Sequence, residues 1–450
     1  MRGAIVAAPW IAQATLLLVL ACVGQDIVVP SPAQLRYQST DFVALIHFNM
    51  GTFAHNGDPC CDKTNWAVHA PYATGETRDP ATFNPTQLNV SQWFDSIVAL
   101  GANIAVLTAK HGCGFVLWPT DATLPDGSPY GYDVGASRAI RHDVAREFVD
   151  AARAAGVGYG FYYSIAKSFY LCRGFSGENT CLEEILPGQR NLTDGEYHRV
   201  VAQHLEELWS RYGRLSQIWV DSALEGFEEL MVRLQPQAVG IPASPTVWCG
   251  TESGHPSRDV GPGDVWSMGK GHFGSPNGTS WTPRFCDPQL FRDHVWFWEP
   301  GLAVRTLDEM IPIYHDIVGR GMVMELAFSV NREGLVDPEH AEVYRQLGDW
   351  VRACYGAPLA AVSGRGRALA LRLPEGATFD RILLQEDIAS GQRVRSYAIE
   401  ARLQPGGALI TLARGSAIGR KRIRVLVDPM TVGLGSEVVL RVEEASAEPR

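Results

Sequence analysis

The sequence predicts an α/β fold, a (β/α)8 TIM-like barrel followed by a C-terminal all-β sandwich, and three observations predict it. Between about Asp41 and Cys354, short apolar runs rich in β-branched and aromatic residues alternate with longer amphipathic ones, the rhythm of parallel strands joined by helices. Eight such short runs can be placed there, the strand number with which a barrel of this kind closes. After Tyr355 and Gly356 the composition changes to short β-type runs separated by Gly, Pro and Asp, without a helical period.

Taken in order, the strands are expected at 43–48, 104–109, 158–164, 217–221, 246–250, 265–268, 295–298 and 322–330. The clearest helix begins at Asp194, a good N-cap residue. It carries Tyr197, Val200, Val201, His204, Leu205, Leu208, Trp209 and Tyr212 on one face and stops at Gly213. Other helices are expected at 91–100, 144–155, 307–318 and 338–354. Beyond them, β-type runs at 368–373, 381–385, 394–401 and 423–427 belong to the second domain, and the polar tail from Glu443 is expected to fray. The expected division is 1–24 signal peptide, 25–355 catalytic domain and 356–450 β-sandwich.

The 450 residues are 46% hydrophobic with a formal net charge of −10, enough for a large core and the wrong sign for nucleic-acid binding. Arg2 followed by an apolar run from Ala14 to Val23 and then Gly24 and Gln25 has the layout of a secretory signal. That run is too short to span a bilayer. The alternative is a lipoprotein signal that leaves Cys22 acylated. Cleavage leaves an even set of cysteines, as suits an oxidising compartment. Cys172 and Cys181 bracket a short polar loop and form the pair most readily bridged, and adjacent Cys60 and Cys61 bond elsewhere. No C-x-x-C pair and no His ligand spacing is present, so no metal or other cofactor is expected. Asn89, Asn191 and Asn277 each begin an N-x-S/T acceptor, in keeping with secretion.

Chemistry is expected where strands end. The run Leu215 to Glu225 reads LSQIWVDSALE and closes a strand with a carboxylate, Asp221, that a soluble strand does not need. Alternation places Trp219 on the same face. Other strand ends hold His47, Lys110 with His111, Tyr162 with Tyr163, Glu252, and Trp296 to Trp298. Residues at the C-terminal ends of barrel strands form the active site, and this mixture of aromatics, histidines and two carboxylates makes a sugar pocket. Retaining glycosidases need two carboxyl groups about 5–5.5 Å apart, which Asp221 and Glu252, on neighbouring strand ends, can supply. Glu225 and Glu299 are reserves for the acid/base role, and Glu325, inside its strand, is expected to be paired. A bland reading exists for each singly: Asp221 as a turn cap, the histidines and tryptophans as core.

These residues resemble the glycoside hydrolase family 29 α-L-fucosidases, from about Pro32 through the β domain. ALIHFNMGTF is similar to the family's first strand, FNPTQLNVSQW to its first helix entry, and VLTAKHGCGFVLWP to its signature. QIWVDSA resembles the nucleophile strand, so the resemblance puts that role on Asp221 and pocket-wall contact on Trp219. WCGTESG resembles the acid/base segment of the subgroup preferring α-1,3 and α-1,4 linked fucose, which implies Glu252. The segment around Trp296-Phe297-Trp298 and the runs RILLQEDIASGQRV and GSAIGRKRI match the same subgroup. His47, Trp66, His111, Trp219 and Trp298 are then the substrate-binding set.

Gly112 and Cys113 stand where the signature has His and Asp, and Asn65 where many members have Glu. Each such lost hydrogen bond is worth about 1 to 3 kcal/mol, enough to alter which sugar is accepted. The implied enzyme hydrolyses terminal α-L-fucosyl residues with retention, its partner a fucosylated oligosaccharide or glycoprotein glycan. The rivals are a glycosidase for another α-L-sugar such as α-L-galactose, and a lectin-like pseudoenzyme.

Overall fold

A computed structural model describes residues 3–6, 27–53, 79–137, 142–174, 179–181, 185, 188–222, 226–240, 244–292 and 295–447. One seven-stranded parallel sheet forms the centre, in the order β4-β3-β2-β1-β7-β6-β5. Its strands are β1 (Phe42–His47), β2 (Ile104–Lys110), β3 (Gly158–Tyr163), β4 (Gln217–Val220), β5 (Val247–Trp248), β6 (Arg284–Cys286) and β7 (Val323–Ser329). Around it lie α1 (Pro32–Gln38), α2 (Val90–Leu100), α3 (Val144–Ala155), α4 (Asp194–Arg211), α5 (Glu228–Leu234), α6 (Leu307–Ile317) and α7 (Pro338–Tyr355). This is a TIM-like α/β domain. The outer faces of the strands pack on the helices in the largest apolar cluster. Val43, Leu45, Val106, Tyr162, Phe285, Val323 and Ala327 point the other way into a separate inner cluster, with Trp219 against it.

The strand count differs from the expected eight. β4 and β5 are the two edges of the sheet, so Asp221 and Glu252 do not follow paired neighbouring strands as expected, and β4 is flanked beyond its edge by a single parallel bridge from Gln217 to Val239. Neither 265–268 nor 295–298 is a strand of this sheet, and β6, only three residues between Pro283 and Pro288, was not anticipated. The apolar alternation at Trp266 and Met268 serves docking instead, packing with Trp281 against Ile388 and Ala417 of the C-terminal domain. Helix α4 starts where expected, but its cap is Thr193, which forms a capping box with Glu196.

The C-terminal part holds β8 (Ala368–Arg372), β9 (Thr378–Leu384), β10 (Val394–Arg402), β11 (Ile410–Gly415), β12 (Arg422–Thr431) and β13 (Glu437–Ala445). One sheet runs β8-β13-β10-β11, antiparallel throughout. The other pairs β9 with β12 antiparallel and adds Gly3–Val6 and Ala360–Ala361 at the far side of β9. Phe379, Ile382 and Leu384 of β9 share one core with Tyr397, Ile399, Val438 and Val442 of the first sheet, as in a β-sandwich. The tail expected to fray from Glu443 is instead part of β13, because Val442 and Glu444 pair with Tyr397 and Ser396. The apolar run Ala14 to Val23, with Cys22, lies outside the described residues.

Buried charge joins the two parts. Asp41, at the foot of β1, accepts from Lys421 Nζ at 2.5 Å and Arg420 at 3.2 Å, and Arg420 also donates to the Gln38 and Met322 carbonyls. Cys172 and Cys181 are bridged as expected, and a second disulfide, Cys249 to Cys286, ties the end of β5 to the end of β6. Cys113 is also disulfide-bonded. Cys354 is a free thiol, so the cysteines of the expected mature chain are not all paired.

Candidate active site

Asp221 follows β4 and its carboxylate is held from the neighbouring strand end. Oδ1 accepts the backbone N–H groups of Ile165 and Ala166, each at 2.9 Å, while Oδ2 accepts Ser164 Oγ at 2.6 Å and Tyr162 Oη at 3.0 Å. Four donors occupy the four lone-pair sites a carboxylate offers, so the group has one orientation. Capping of its own turn, the bland reading of Asp221, is not what the side chain does.

The loop that supplies those donors is anchored by Lys110 at the end of β2. Its Nζ donates to the carbonyls of Ser164 at 2.5 Å and Lys167 at 2.7 Å, on either side of Ile165 and Ala166. Burial draws the Lys110 ammonium from 10.5 down to about 7, against the favourable charge of Asp221 and together with Lys167. Lys110→Met is expected to lower kcat about tenfold, because the loop that orients the Asp221 carboxylate loses its anchor. Between pH 7 and 10.5 the unfolded chain binds the Lys110 proton and the folded one does not, so wild-type stability rises with pH there. The Met variant should therefore melt no lower than wild type at pH 6, where a purely structural lysine would show its loss.

Aromatic rings line the mouth. His47 stacks on Trp296 with centroids 4.5 Å apart and stands near edge-on to Phe297 at 5.5 Å. His111 stacks on Tyr162 at 5.6 Å and meets Phe297 edge-on at 5.0 Å. Burial pulls the His47 imidazole down to about 3 and holds His111 well below the usual histidine range, helped by the charges of His47, Lys167 and Lys110. Both are neutral at working pH. Nδ1 of His111 is buried without a hydrogen-bond partner among the described residues, a polar atom that a sugar hydroxyl would satisfy. The run 295–298, read as a strand because it is a short apolar run, turns instead into this mouth, where Phe297 packs over Gly51 so closely that a Cβ there would sit 2.8 Å from its ring.

Trp219 lies 4.8 Å from the Tyr162 ring and donates Nε1 to Glu325 Oε2 at 2.9 Å. Glu325, paired as expected, also accepts from Tyr37 at 2.5 Å and Gln217 at 2.6 Å. Burial pushes its carboxyl up to about 7 against those three hydrogen bonds. Glu252 follows β5 on a bend between Gly250 and Gly254, both with positive φ, and accepts Gln289 Nε2 at 3.2 Å. The sequence missed Asp287, directly after the unanticipated β6. It is 3% exposed and its carboxyl is pushed well up by burial and then by the charge of Glu252, with its bond from Trp248 opposing.

Trp298, an expected sugar contact, is half-buried and held by polar partners. Its Nε1 donates to Asp337 Oδ2 at 2.6 Å and its ring lies 5.6 Å from the Arg332 guanidinium, whereas Trp296 meets His47. Trp66 and Glu225 lie outside the described residues. The one metal-like grouping among the described residues, Asp337, Glu339 and His340, is the first turn of α7, and Asp337 already accepts from Trp298 and Asn331 there.

A family model described as Alpha-L-fucosidase matches residues 62–356, the segment that carries β2 to β7 and every site residue above except Tyr37, His47 and Gly51. The chain belongs to the alpha-L-fucosidase family. It is therefore a glycoside hydrolase. Alpha-L-fucosidase 1 of Arabidopsis thaliana is 26% identical over 94% of this chain and 86% of its own. A Bacteroides thetaiotaomicron crystal structure assigned as an alpha-L-fucosidase is 26% identical, with TM-score 0.77 over 94% of this chain and 97% of that one. A glycoside hydrolase 29 family member from an unknown rumen bacterium shares the fold, at 24% identity and TM-score 0.74 over 94% and 76% of the two chains.

Proposed function

We propose that this fucosidase-family chain is a secreted, retaining exo-α-L-fucosidase of glycans, in which Asp221 is the nucleophile and Glu252 the general acid/base. The observation that carries the reading is the four-donor clamp on the Asp221 carboxylate at the mouth of an aromatic barrel. Asp221 attacks C1 of the fucosyl residue and displaces the glycosidic oxygen, which takes a proton from Glu252. Water, deprotonated by Glu252, then attacks the same carbon and releases Asp221. The Tyr162 hydroxyl, the longest of the four bonds, is the donor that yields to free an Oδ2 lone pair for the bond to carbon. Neutral His47 and His111, with Trp219 and Trp296, contact the sugar ring and its hydroxyls.

Support for an α-1,3/1,4 preference is the likeness of WCGTESG and the Trp296 segment to that subgroup. Secretion is supported by the apolar run Ala14 to Val23 and by the exposed positions of Asn89, Asn191 and Asn277, and it requires that Gly3–Val6, paired with β9 here, leave with the signal. The stereochemical course tests the mechanism. Proton NMR of a fresh digest of 4-nitrophenyl α-L-fucoside is expected to show α-fucose first, converting to β by mutarotation. First appearance of β-fucose would remove Asp221 from the nucleophile role, and turnover of α-L-galactosides but not fucosides would reassign the sugar.

A further inference from the structure

Among the described residues, the exposed large hydrophobics include a single aromatic, Trp248, at 38% exposure. Scattered exposed apolar side chains need no explanation, but this one is fixed in place. Its Nε1 donates to Oδ1 of buried Asp287 at 2.6 Å. The next residue, Cys249, is disulfide-bonded to Cys286, the residue before Asp287, so the hydrogen bond and the disulfide clamp two adjacent strand ends together. Backbone bonds from Val247 N to Pro283 O and Cys249 N to Phe285 O, both 2.8 Å, complete the clamp. Burying a carboxyl beside Glu252 and Glu325 to hold one exposed indole has a cost that packing alone does not require.

Register shows where the indole stands. Trp248 is the cross-strand partner of Phe285, which belongs to the inner cluster of the sheet and meets Trp219 edge-on at 6.1 Å. Partners in a parallel pair share a face, so Trp248 is on the inner face at the C-terminal rim, next to the strand end that carries Asp287. Glu252 comes four residues later and is held by Gln289, two residues after Asp287.

We propose that Trp248, locked by Asp287, is the stacking platform of a leaving-group subsite that receives the C–H face of the sugar ring to which the fucose is attached. Resting on the function proposed above, this names the substrate class as fucose on a second sugar, not on a small alcohol. A pyranose offers an apolar face for a rigid indole, with polar groups at its edge to orient it. A methyl leaving group reaches no such surface, yet still needs its oxygen protonated.

The test compares wild type, Trp248→Ala and Trp248→Phe on methyl α-L-fucoside and on a trisaccharide with fucose α-1,4 linked to N-acetylglucosamine. Both substrates require the acid, so a displaced Glu252 lowers both together. Trp248→Ala is expected to lower kcat/KM for the trisaccharide at least about tenfold more than for the methyl fucoside, equivalent to about 1.4 kcal/mol. Trp248→Phe, which keeps a ring but loses the bond to Asp287, should fall between. Equal losses on the two substrates, or a trisaccharide loss under about twofold, would overturn the subsite while leaving the nucleophile and acid assignments standing. Wild-type turnover of methyl fucoside alone would also overturn it. Wild-type turnover of neither would overturn the function and the subsite with it.

Discussion

Asp221→Ala is expected to cut fucoside turnover by about four orders of magnitude or more, the scale on which removing a covalent nucleophile acts. Such a loss corresponds to about 5 kcal/mol or more of transition-state stabilisation. The geometry also says how to keep the protein folded while testing it. In Asp221→Ala the N–H groups of Ile165 and Ala166 and the hydroxyls of Ser164 and Tyr162 lose their acceptor together, and each orphaned donor costs about 1–3 kcal/mol if water does not replace it. Asp221→Asn retains an acceptor for the two N–H groups at Oδ1 and should melt closer to wild type with equal loss of kcat. Asp221→Gly opens space at the carbon, and added azide should restore turnover from an activated fucoside, giving β-L-fucosyl azide by single inversion. A fully active Asp221→Asn protein would end the nucleophile assignment.

What was legible in the sequence and what was not follows from how local each signal is. The strands that carry His47, Lys110 and Tyr162 or lead into Asp221 are four to seven residues long and mostly buried, so their ends, and hence the site, could be placed. β6 is three residues flanked by prolines, too short for a period, and Asp287 was lost with it. Val295 to Trp298 is an unbroken apolar run like that of a buried strand, and only the tertiary fold distinguishes rings that line a mouth from pairing in a sheet. Trp266 and Met268 misled for the same reason, their apolar face being covered by the C-terminal domain. Lys110 was visible at a strand end, but its partners are two carbonyls of a loop more than fifty residues on, which no spacing rule connects. The match to the family supplies the class of reaction. The distances supply the reason Asp221 holds a fixed orientation.

Two buried or half-buried acids, Glu252 and Asp287, stand on adjacent strand ends, and variants at each decide which donates the proton. Asp287 is 3% exposed and spends Oδ1 on Trp248, while Glu252 lies on a Gly-bracketed bend with partial exposure and the one side-chain donor Gln289 named above. An acid that must reach the glycosidic oxygen and then a water needs the second environment. Glu252→Ala is therefore expected to lower kcat/KM on the trisaccharide by about 10²- to 10⁴-fold. On α-L-fucosyl fluoride, whose leaving group needs no proton, the loss should be far smaller. Azide added to Glu252→Ala should capture the fucosyl-enzyme from the face water uses and yield α-L-fucosyl azide, the opposite anomer to that from Asp221→Gly. Asp287→Asn retains an acceptor for Trp248 and should lose less than Glu252→Ala, with no azide product. If Asp287→Asn instead gave α-L-fucosyl azide and Glu252→Ala did not, the acid would be Asp287, with burial and then the charge of Glu252 keeping it protonated.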